Sequence, residues 1–186
     1  MEMTSTRMVP APVETVWAAL NDPAMLVECI PGCDSIEPDG ENAFRIALAA
    51  RVGPVAAKFT GRMQLSDVDP PNGYTLSFDG QGGVAGFAKG EARVNLAPAE
   101  NGAATELSYT VKAQVGGKIA QIGSRLVDGA AQKLADDFFA RFADAVAVKT
   151  GAAPAPVAVG APQPWIRYVA LALLAAVLAY LYARMK

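Results

Sequence analysis

The sequence contains no histidine and only two cysteines among its 186 residues. Histidine is the commonest general base near neutral pH and the commonest protein ligand of zinc, copper and non-haem iron. The serine, lysine, aspartate and tyrosine residues that are present do not group into a recognisable dyad or triad. We therefore expect no catalytic site and no metal site, and we expect that the protein is not an enzyme.

An excess of positive charge is also missing, because 16 Lys and Arg face 18 Asp and Glu and the formal net charge is −2. Nucleic acids attract proteins through a basic surface, so nucleic acid is not an expected partner. The N-terminus carries an early acid, Glu2, and no apolar run follows Arg7. Since a secretory signal peptide needs such a run, we expect the body of the protein to stay in the cytoplasm.

One long apolar run is present at the C-terminal end, over residues 165–182. Eighteen residues that rise about 1.5 Å each span roughly 27 Å, close to the ~30 Å hydrocarbon core of a bilayer. Trp165, Tyr168, Tyr180 and Tyr182 stand near its two ends, as in interfacial aromatic belts. The pattern predicts a single-pass C-terminal anchor over residues 165–183 on the cytoplasmic face of the membrane; a buried helix of the globular body is the alternative.

Residues 150–164 differ from the rest of the chain because they hold four prolines, two glycines and no charge. Such a composition is typical of a semi-extended spacer, which at about 3 Å per residue reaches up to ~45 Å. The organisation predicted is a body over residues 1–149, a spacer over 150–164 and the anchor.

Period-two alternation of apolar and polar residues fills the middle of the chain, most clearly over residues 55–65. Turn signals recur between these segments, namely Asp39-Gly40, Gly53-Pro54, Asn72-Gly73 and Asn101-Gly102. Two short helices are expected after the first strand, over residues 12–20 and 23–29, and one continuous helix from Gly117 to about Val148. These elements predict an α+β helix-grip fold, in which a seven-stranded antiparallel sheet wraps around a long C-terminal helix.

A curved sheet around one helix often leaves a cavity, although small inward residues such as Ala57 and Ala113 also permit a fully packed core. If a cavity exists, the bulky members of the inward strand rows and of the helix stripe should line it, with Phe87 at its mouth. The ligand-binding residues predicted in this way are Phe44, Phe59, Met63, Phe78, Phe87, Tyr109, Ile122, Leu126, Leu134 and Phe138.

Two local motifs have chemical interpretations. Residues 29–33, Cys-Ile-Pro-Gly-Cys, are one residue longer than a C-x-x-C motif, so Cys29 and Cys33 are interpreted as structural residues at a turn. The glycine-rich residues 80–90 precede a strand instead of a helix and therefore make a poor phosphate loop. They are either a bulged hairpin or a gate in which Phe87 moves over the cavity mouth.

Several of these segments together resemble the CoxG family of carbon monoxide dehydrogenase proteins, a branch of the START and Bet v 1-like (SRPBCC) superfamily of ligand-binding domains. The resemblance extends from Met1 to about Val148. It depends on the strings at residues 16–23, 29–33, 86–92, 116–123 and 136–139.

The resemblance implies an accessory protein of a molybdenum hydroxylase, typically carbon monoxide dehydrogenase, that associates the enzyme with the membrane. Combined with an apolar cavity and a tether, it predicts a bound respiratory quinone or other isoprenoid lipid, with no covalent cofactor. Two alternatives stay open: an anchor that recruits the enzyme without binding a ligand, and a small cyclase-like or hydrolytic enzyme of the same superfamily.

Overall fold

The computed structural model describes residues 1–150. The elements follow in the order β1 (Glu2–Val9), α1 (Val13–Leu20), α2 (Pro23–Cys29), β2 (Cys33–Pro38), β3 (Ala43–Val52), β4 (Val55–Asp69), β5 (Gly73–Gln81), β6 (Phe87–Ala99), β7 (Ala104–Gly116), α3 (Lys118–Gln121) and α4 (Ser124–Thr150). Single 3₁₀ turns at Gly83–Ala85 and Glu100–Gly102 connect β5 to β6 and β6 to β7. The α+β fold predicted from the sequence is confirmed.

The seven strands of the described residues form an antiparallel sheet with the order β1-β7-β6-β5-β4-β3-β2. Strands β2 to β7 follow one another as a meander because each turn between them is short, and β1 then pairs with β7. Paired residues point to the same face of the sheet. Two rows cross the middle of the inner face: Ile46, Gly61, Gly80, Ala88 and Val115, and beside it Phe44, Met63, Phe78, Gly90 and Ala113.

The hydrophobic core lies at one end of this inner face. There α1, α2 and the C-terminal half of α4 cover the ends of β1, β6 and β7, and the residues Val16, Leu107, Phe142 and Val146 are at most 1% exposed. Fully burying side chains of this size stabilises the fold by about 1.5–3 kcal/mol each. Strong burial at this end fixes where α4 crosses the sheet.

The short helices confirm the proline signals of the sequence. Pro23 is the first residue of α2, and the Asp22 carboxylate accepts hydrogen bonds from the backbone N–H groups of Ala24 (3.1 Å) and Met25 (3.4 Å). Lys149 at the end of α4 donates to the same carboxylate at 2.9 Å. The cap of α2 therefore also ties it to the C-terminal end of α4.

The long helix differs from the sequence prediction in one respect. The chain breaks at Gly123, where φ is +96°, so a four-residue α3 precedes α4 and the predicted continuous helix is wrong at its start. A glycine adopts this left-handed conformation without the steric cost that a side chain carries. The break also rotates the start of α4 relative to the apolar stripe expected from the sequence.

The predicted spacer and anchor, residues 150–164 and 165–183, lie outside the described residues, apart from Thr150 at the end of α4. Within residues 1–150, no helix combines the length and the apolar composition needed to cross a membrane. The described residues belong to one compact unit.

Candidate functional site

The inner face of the sheet is only half covered away from the core. Phe44, Phe59, Met63 and Phe78 all point to this face and all are half-buried, whereas core residues at the other end are almost completely buried. Apolar surface of this extent, left partly open on the concave side of a sheet, is typical of a ligand site. We name this region, from Phe44, Phe59, Met63 and Phe78 across to Ala113, the hollow.

Small residues keep the hollow open. Gly61, Gly80 and Gly90 lie in the two inner rows, where a larger side chain would project toward the helix. A Cβ atom at Gly61 would be 2.4 Å from the Asp79 carbonyl oxygen, and one at Gly90 would be 2.1 Å from the Lys112 carbonyl oxygen. Glycine is thus required by close approach of neighbouring backbone, and the same choice removes side-chain volume from the inner face.

Two adjoining depressions lie along β7 and the N-terminus. One, of about 690 Å³, is lined by Phe78, Gly90, Ala113 and their neighbours. The other, of about 490 Å³, extends between β7 and the start of α4 and is lined by Phe87, Val115, Ala120, Val127 and their neighbours. Both volumes lie in the range of small-molecule sites. The second is an opening between the sheet and the helices.

The predicted lining residues of the helices fall in three environments. Phe138 is half-buried and stacks on Phe142 in the core, with ring centroids 5.6 Å apart. Ile122 is half-buried at the α3–α4 junction. Leu126 and Leu134 are 52% and 39% exposed, so the helix stripe predicted from the sequence is wrong in phase at these two positions. Val127, Ala131 and Ala135 are half-buried instead.

Phe87 lies at the rim. By register it alternates with the inner-face residues Ala88 and Gly90, and the Lys89 ammonium lies 5.9 Å from the centroid of its ring. Its ring covers Gly116, where a Cβ atom would be 2.2 Å away. Phe87 therefore borders the opening between β7 and α4, and its movement as a gate stays a prediction.

A polar cluster stands where the hollow meets the core. The Tyr109 ring is 6% exposed and stacks on Phe139 with centroids 5.3 Å apart. The Tyr109 hydroxyl is buried and has no hydrogen-bond partner among the described residues, and the same holds for Nε of Arg7. Arg7 pairs with Asp136 and lies over the Phe139 ring. Because β1 pairs with β7 so that Arg7 opposes Leu107 and Ser5 opposes Tyr109, both donors belong to one patch of the inner face.

The sequence analysis missed Arg7, Asp136 and Phe139 as parts of this patch. A signal for Arg7 existed, because it shares the period of Met3, Ser5 and Val9 on the inner face of β1. Buried polar groups normally have hydrogen-bond partners. The two unpartnered donors of the patch therefore offer hydrogen bonds to an acceptor on a ligand.

The titratable groups of the core give no sign of acid–base chemistry. Burial raises the pKa of the Tyr74 hydroxyl to about 12, so the group is a neutral phenol. Burial also raises the pKa of the Cys29 and Cys33 thiols. Among residues 1–150 no cluster of three or more His, Cys, Asp and Glu could hold a metal ion.

The closest contacts of Cys33 are local. Its thiol lies 3.6 Å from the Ser35 carbonyl oxygen and 3.7 Å from the Ala47 carbonyl oxygen, while Cys29 is 1% exposed in the core. Gly32 between them has φ of +74°, and a Cβ atom there would be 2.2 Å from the Ala49 carbonyl oxygen. The interpretation of this motif as a packed turn agrees with these contacts.

Comparison with solved structures places the fold among known ligand-binding domains. A conserved protein from Geobacillus kaustophilus has 35% identity and a TM-score of 0.76, with 80% of this chain and 97% of that chain covered. A START superfamily protein from Mycobacterium smegmatis shares the fold at 14% identity and a TM-score of 0.62, covering 80% and 98% of the two chains. The Zhui aromatase/cyclase from Streptomyces sp. R1128 does so at 15% and 0.59, covering 86% and 98%.

No curated protein matches the sequence significantly. The model of the carbon monoxide dehydrogenase CoxG family matches residues 6–147, which is nearly the whole of the described domain. With the helix-grip architecture and the half-open inner face, this match confirms the resemblance found in the sequence: the chain belongs to the carbon monoxide dehydrogenase CoxG family.

Proposed function

We propose that this protein is a membrane-anchored accessory protein of a molybdenum hydroxylase of the carbon monoxide dehydrogenase type. In this proposal the hollow binds a respiratory quinone and couples the enzyme to the respiratory chain. Family membership supports the choice of partner. The predicted anchor over residues 165–183 supports the location.

The observation that carries the ligand proposal is the buried, unpartnered hydroxyl of Tyr109 beside an apolar hollow. A tyrosine hydroxyl donates a hydrogen bond to a carbonyl oxygen, and a quinone ring carries two such oxygens. An isoprenoid tail needs apolar surface, which the half-buried Phe44, Met63 and Phe78 supply. The head group would then lie toward the core and the tail toward the opening between β7 and α4.

A physical reason favours a carrier over a simple anchor. A quinone is dissolved in the hydrocarbon core, where a soluble enzyme cannot reach it. A tethered domain with an apolar hollow can take the quinone from the bilayer and present it at the enzyme surface. Tethering also raises the effective concentration of the domain at the membrane, to the millimolar range for short flexible linkers.

The test is reconstitution of the full chain in vesicles that contain the quinone. With a carbon monoxide dehydrogenase in the surrounding buffer, carbon monoxide should drive reduction of the membrane quinone, followed by absorbance. A chain that ends at Lys149 should release the domain from the vesicles and lower this rate at equal total protein. If the truncated chain supports the same rate, the tether is not what couples the two partners.

The anchor alternative gives a different outcome in the same system. A chain that only recruits the enzyme should contain no quinone after purification in detergent and extraction into organic solvent, measured by mass spectrometry. A chain of the enzymatic alternative should instead turn over a substrate with no dehydrogenase present. Quinone at less than about one tenth of the protein on a molar basis contradicts the carrier proposal.

A further inference from the structure

Three segments meet at the end of the molecule where the hollow opens. They are the turn between β3 and β4, the glycine-rich connection from β5 to β6, and the passage from β7 through α3 into α4. A Cβ atom at Gly53 would lie 3.8 Å from Ile122 Cδ1 and 3.9 Å from Leu126 Cδ1. A Cβ atom at Gly117 would lie 2.4 Å from Gly86 Cα. Residues 51–57, 80–90 and 113–127 are named the basic end for the reason that follows.

The basic end carries Arg51, Lys89, Lys118 and Arg125 and contains no aspartate or glutamate. None of these four cations has an ion-pair partner among the described residues, although the Lys89 ammonium lies over the Phe87 ring. The acids closest in sequence, Asp79 and Asp128, lie at its borders. Four unpaired cations without acids give this end a positive potential.

The opposite end of the sheet has the reverse composition. Its three turns, residues 37–42, 66–72 and 99–106, contain seven acids and no lysine or arginine. Asp39 pairs with Arg45 and Arg62 of the adjacent strands, and no ion pair forms at the other six acids within residues 1–150. The β6 strand runs from one end to the other over 13 residues, which at about 3.3 Å per residue separates the two charges by roughly 40 Å.

Large apolar side chains stand exposed among the cations of the basic end. Val84, in the turn between β5 and β6, is 83% exposed, and Leu126 is 52% exposed. Pro54 at the tip of the β3–β4 turn is also exposed. Exposed apolar residues surrounded by lysine and arginine are the composition of surfaces that insert into the headgroup region of an anionic bilayer.

We propose that the basic end docks on an anionic phospholipid surface, with Val84 and Leu126 inserted between the headgroups and Arg51, Lys118 and Arg125 beside lipid phosphates. The inference rests on the proposed function, because it describes how a lipid-dissolved ligand reaches the hollow. The opening lined by Phe87, Val115 and Val127 belongs to this end. A docked domain therefore receives the ligand without exposing its apolar tail to water.

The point of attachment permits this orientation. The helix α4 starts at the basic end and its 27 residues cover about 40 Å at 1.5 Å per residue. The spacer predicted over residues 150–164 reaches up to ~45 Å. A tether attached at the far end of α4 is thus long enough for the basic end to touch the bilayer.

The experiment is hydrogen exchange measured by mass spectrometry on the full chain in vesicles. Vesicles of phosphatidylcholine are compared with vesicles that also contain phosphatidylglycerol at about one lipid in three. Peptides covering residues 80–90 and 118–126 should exchange several-fold more slowly on the anionic vesicles. Peptides covering residues 66–72 and 99–106 should not change, and 0.5 M salt should remove the difference.

A pair of matched variants separates the surface from net charge. Arg51→Glu/Arg125→Glu and Arg93→Glu/Arg141→Glu change the net charge equally, and none of the four arginines forms an ion pair among the described residues. Since each basic residue near an anionic surface contributes about five-fold to binding, the first pair should weaken docking at least ~25-fold and abolish the slower exchange. The second pair should retain it.

Equal exchange on both kinds of vesicle overturns the proposal, as does slower exchange at residues 66–72. Slower exchange at the basic end only when the dehydrogenase is present also overturns it, because the occupant is then an acidic protein surface. Quinone content measured on the same samples keeps the two proposals apart. Bound quinone without a vesicle effect contradicts docking alone, whereas a vesicle effect without bound quinone contradicts the ligand proposal alone.

Discussion

At the scale of single residues, Tyr109 has opposite effects on stability and on binding. Its ring fills the core beside Phe139, but its hydroxyl is buried without a partner among the described residues, which costs the ligand-free protein free energy. A residue that lowers stability in the empty protein and offers a donor to a ligand is typical of a binding site. Tyr74, at the other end of the same cross-strand row, provides a comparison because it is as deeply buried.

Tyr109→Phe should therefore leave the free energy of unfolding unchanged or raise it by about 1 kcal/mol, because an unsatisfied hydroxyl is removed. The same change should reduce discrimination between a quinone and its deoxygenated analogue by roughly 2- to 10-fold, since one hydrogen bond is worth ~0.5–1.5 kcal/mol. Urea unfolding and competition binding measure the two effects. Tyr74→Phe is the control and should not alter discrimination; equal effects of both changes would remove Tyr109 from the site.

The two cysteines give a second residue-scale prediction. Burial raises the pKa of both thiols, so the reactive thiolate is scarce at pH 7–8. A chromogenic disulfide reagent should react slowly with the folded protein, faster at the half-buried Cys33 than at Cys29, and rapidly with both after unfolding. Fast reaction of both thiols in the folded state would contradict their structural role.

Residue-scale features divide by how local their cause is. Pro23 and Asp22 could be assigned to the start of α2 from sequence, because capping depends on three or four adjacent residues. The contact of Arg7 with Asp136 could not, since it joins residues 129 positions apart. Its existence follows from the register of β1 on β7 and from where α4 crosses the sheet.

At the scale of elements, the break at Gly123 explains why the helical lining was mispredicted. The heptad-like apolar pattern from Ile119 to Phe142 reads as one stripe only if the helix is continuous. With the break, Leu126 and Leu134 turn away from the sheet, and the smaller Ala131 and Ala135 face it in a half-buried position. The strands had no such uncertainty, because their period-two pattern and short turns fix both register and facing residues.

The connection between α2 and α4 gives a pH-dependent prediction. The pKa of Asp22 is lowered, first by the hydrogen bond from Lys149 and then by the backbone N–H of Met25. A carboxylate with a lowered folded pKa stabilises the fold above its unfolded pKa of about 3.9 and loses this effect as pH falls through the folded value. Asp22→Ala should therefore lower the melting temperature at pH 7, and the gap from wild type should narrow below about pH 4.

Asp22→Asn is the matched control for this experiment. The amide oxygen still accepts the capping hydrogen bonds, but it carries no charge for Lys149. Its melting temperature should lie between those of wild type and Asp22→Ala at pH 7. A difference between wild type and Asp22→Ala that stays constant down to pH 2 would contradict the ion pair as a source of stability.

At the scale of the whole molecule, the described domain contains the complete core and the complete sheet. A chain that ends at Lys149 should therefore remain folded and monomeric without detergent. Circular dichroism and gel filtration of the truncated and full chains provide the test. Aggregation of the truncated chain, or a much lower melting temperature, would mean that residues beyond 149 belong to the core and that the predicted domain boundary is wrong.

The overall architecture could be predicted from sequence because alternation, turn glycines and helix signals all indicate the same arrangement. Whether the inner face is filled could not, since it depends on how far α4 stands from the sheet over Gly80, Gly90 and Ala113. The opposite charges of the two ends became visible only when the register assigned each turn to an end. These properties belong to the assembled fold and to no single segment.

The central claim is that the hollow holds the ligand, and Ala113→Phe tests it most directly. Ala113 is half-buried on the inner face opposite Gly90 and lines both depressions, so a phenyl ring there occupies the place of the ligand. Ala97→Phe, on the exposed outer face of β6, is the matched control. Quinone copurified with the full chain should fall at least ten-fold in Ala113→Phe and stay unchanged in Ala97→Phe, with similar melting temperatures. Unchanged quinone in a folded Ala113→Phe protein, or a melting transition lowered by the ~1–3 kcal/mol typical of overpacking, would contradict an open hollow that binds the ligand.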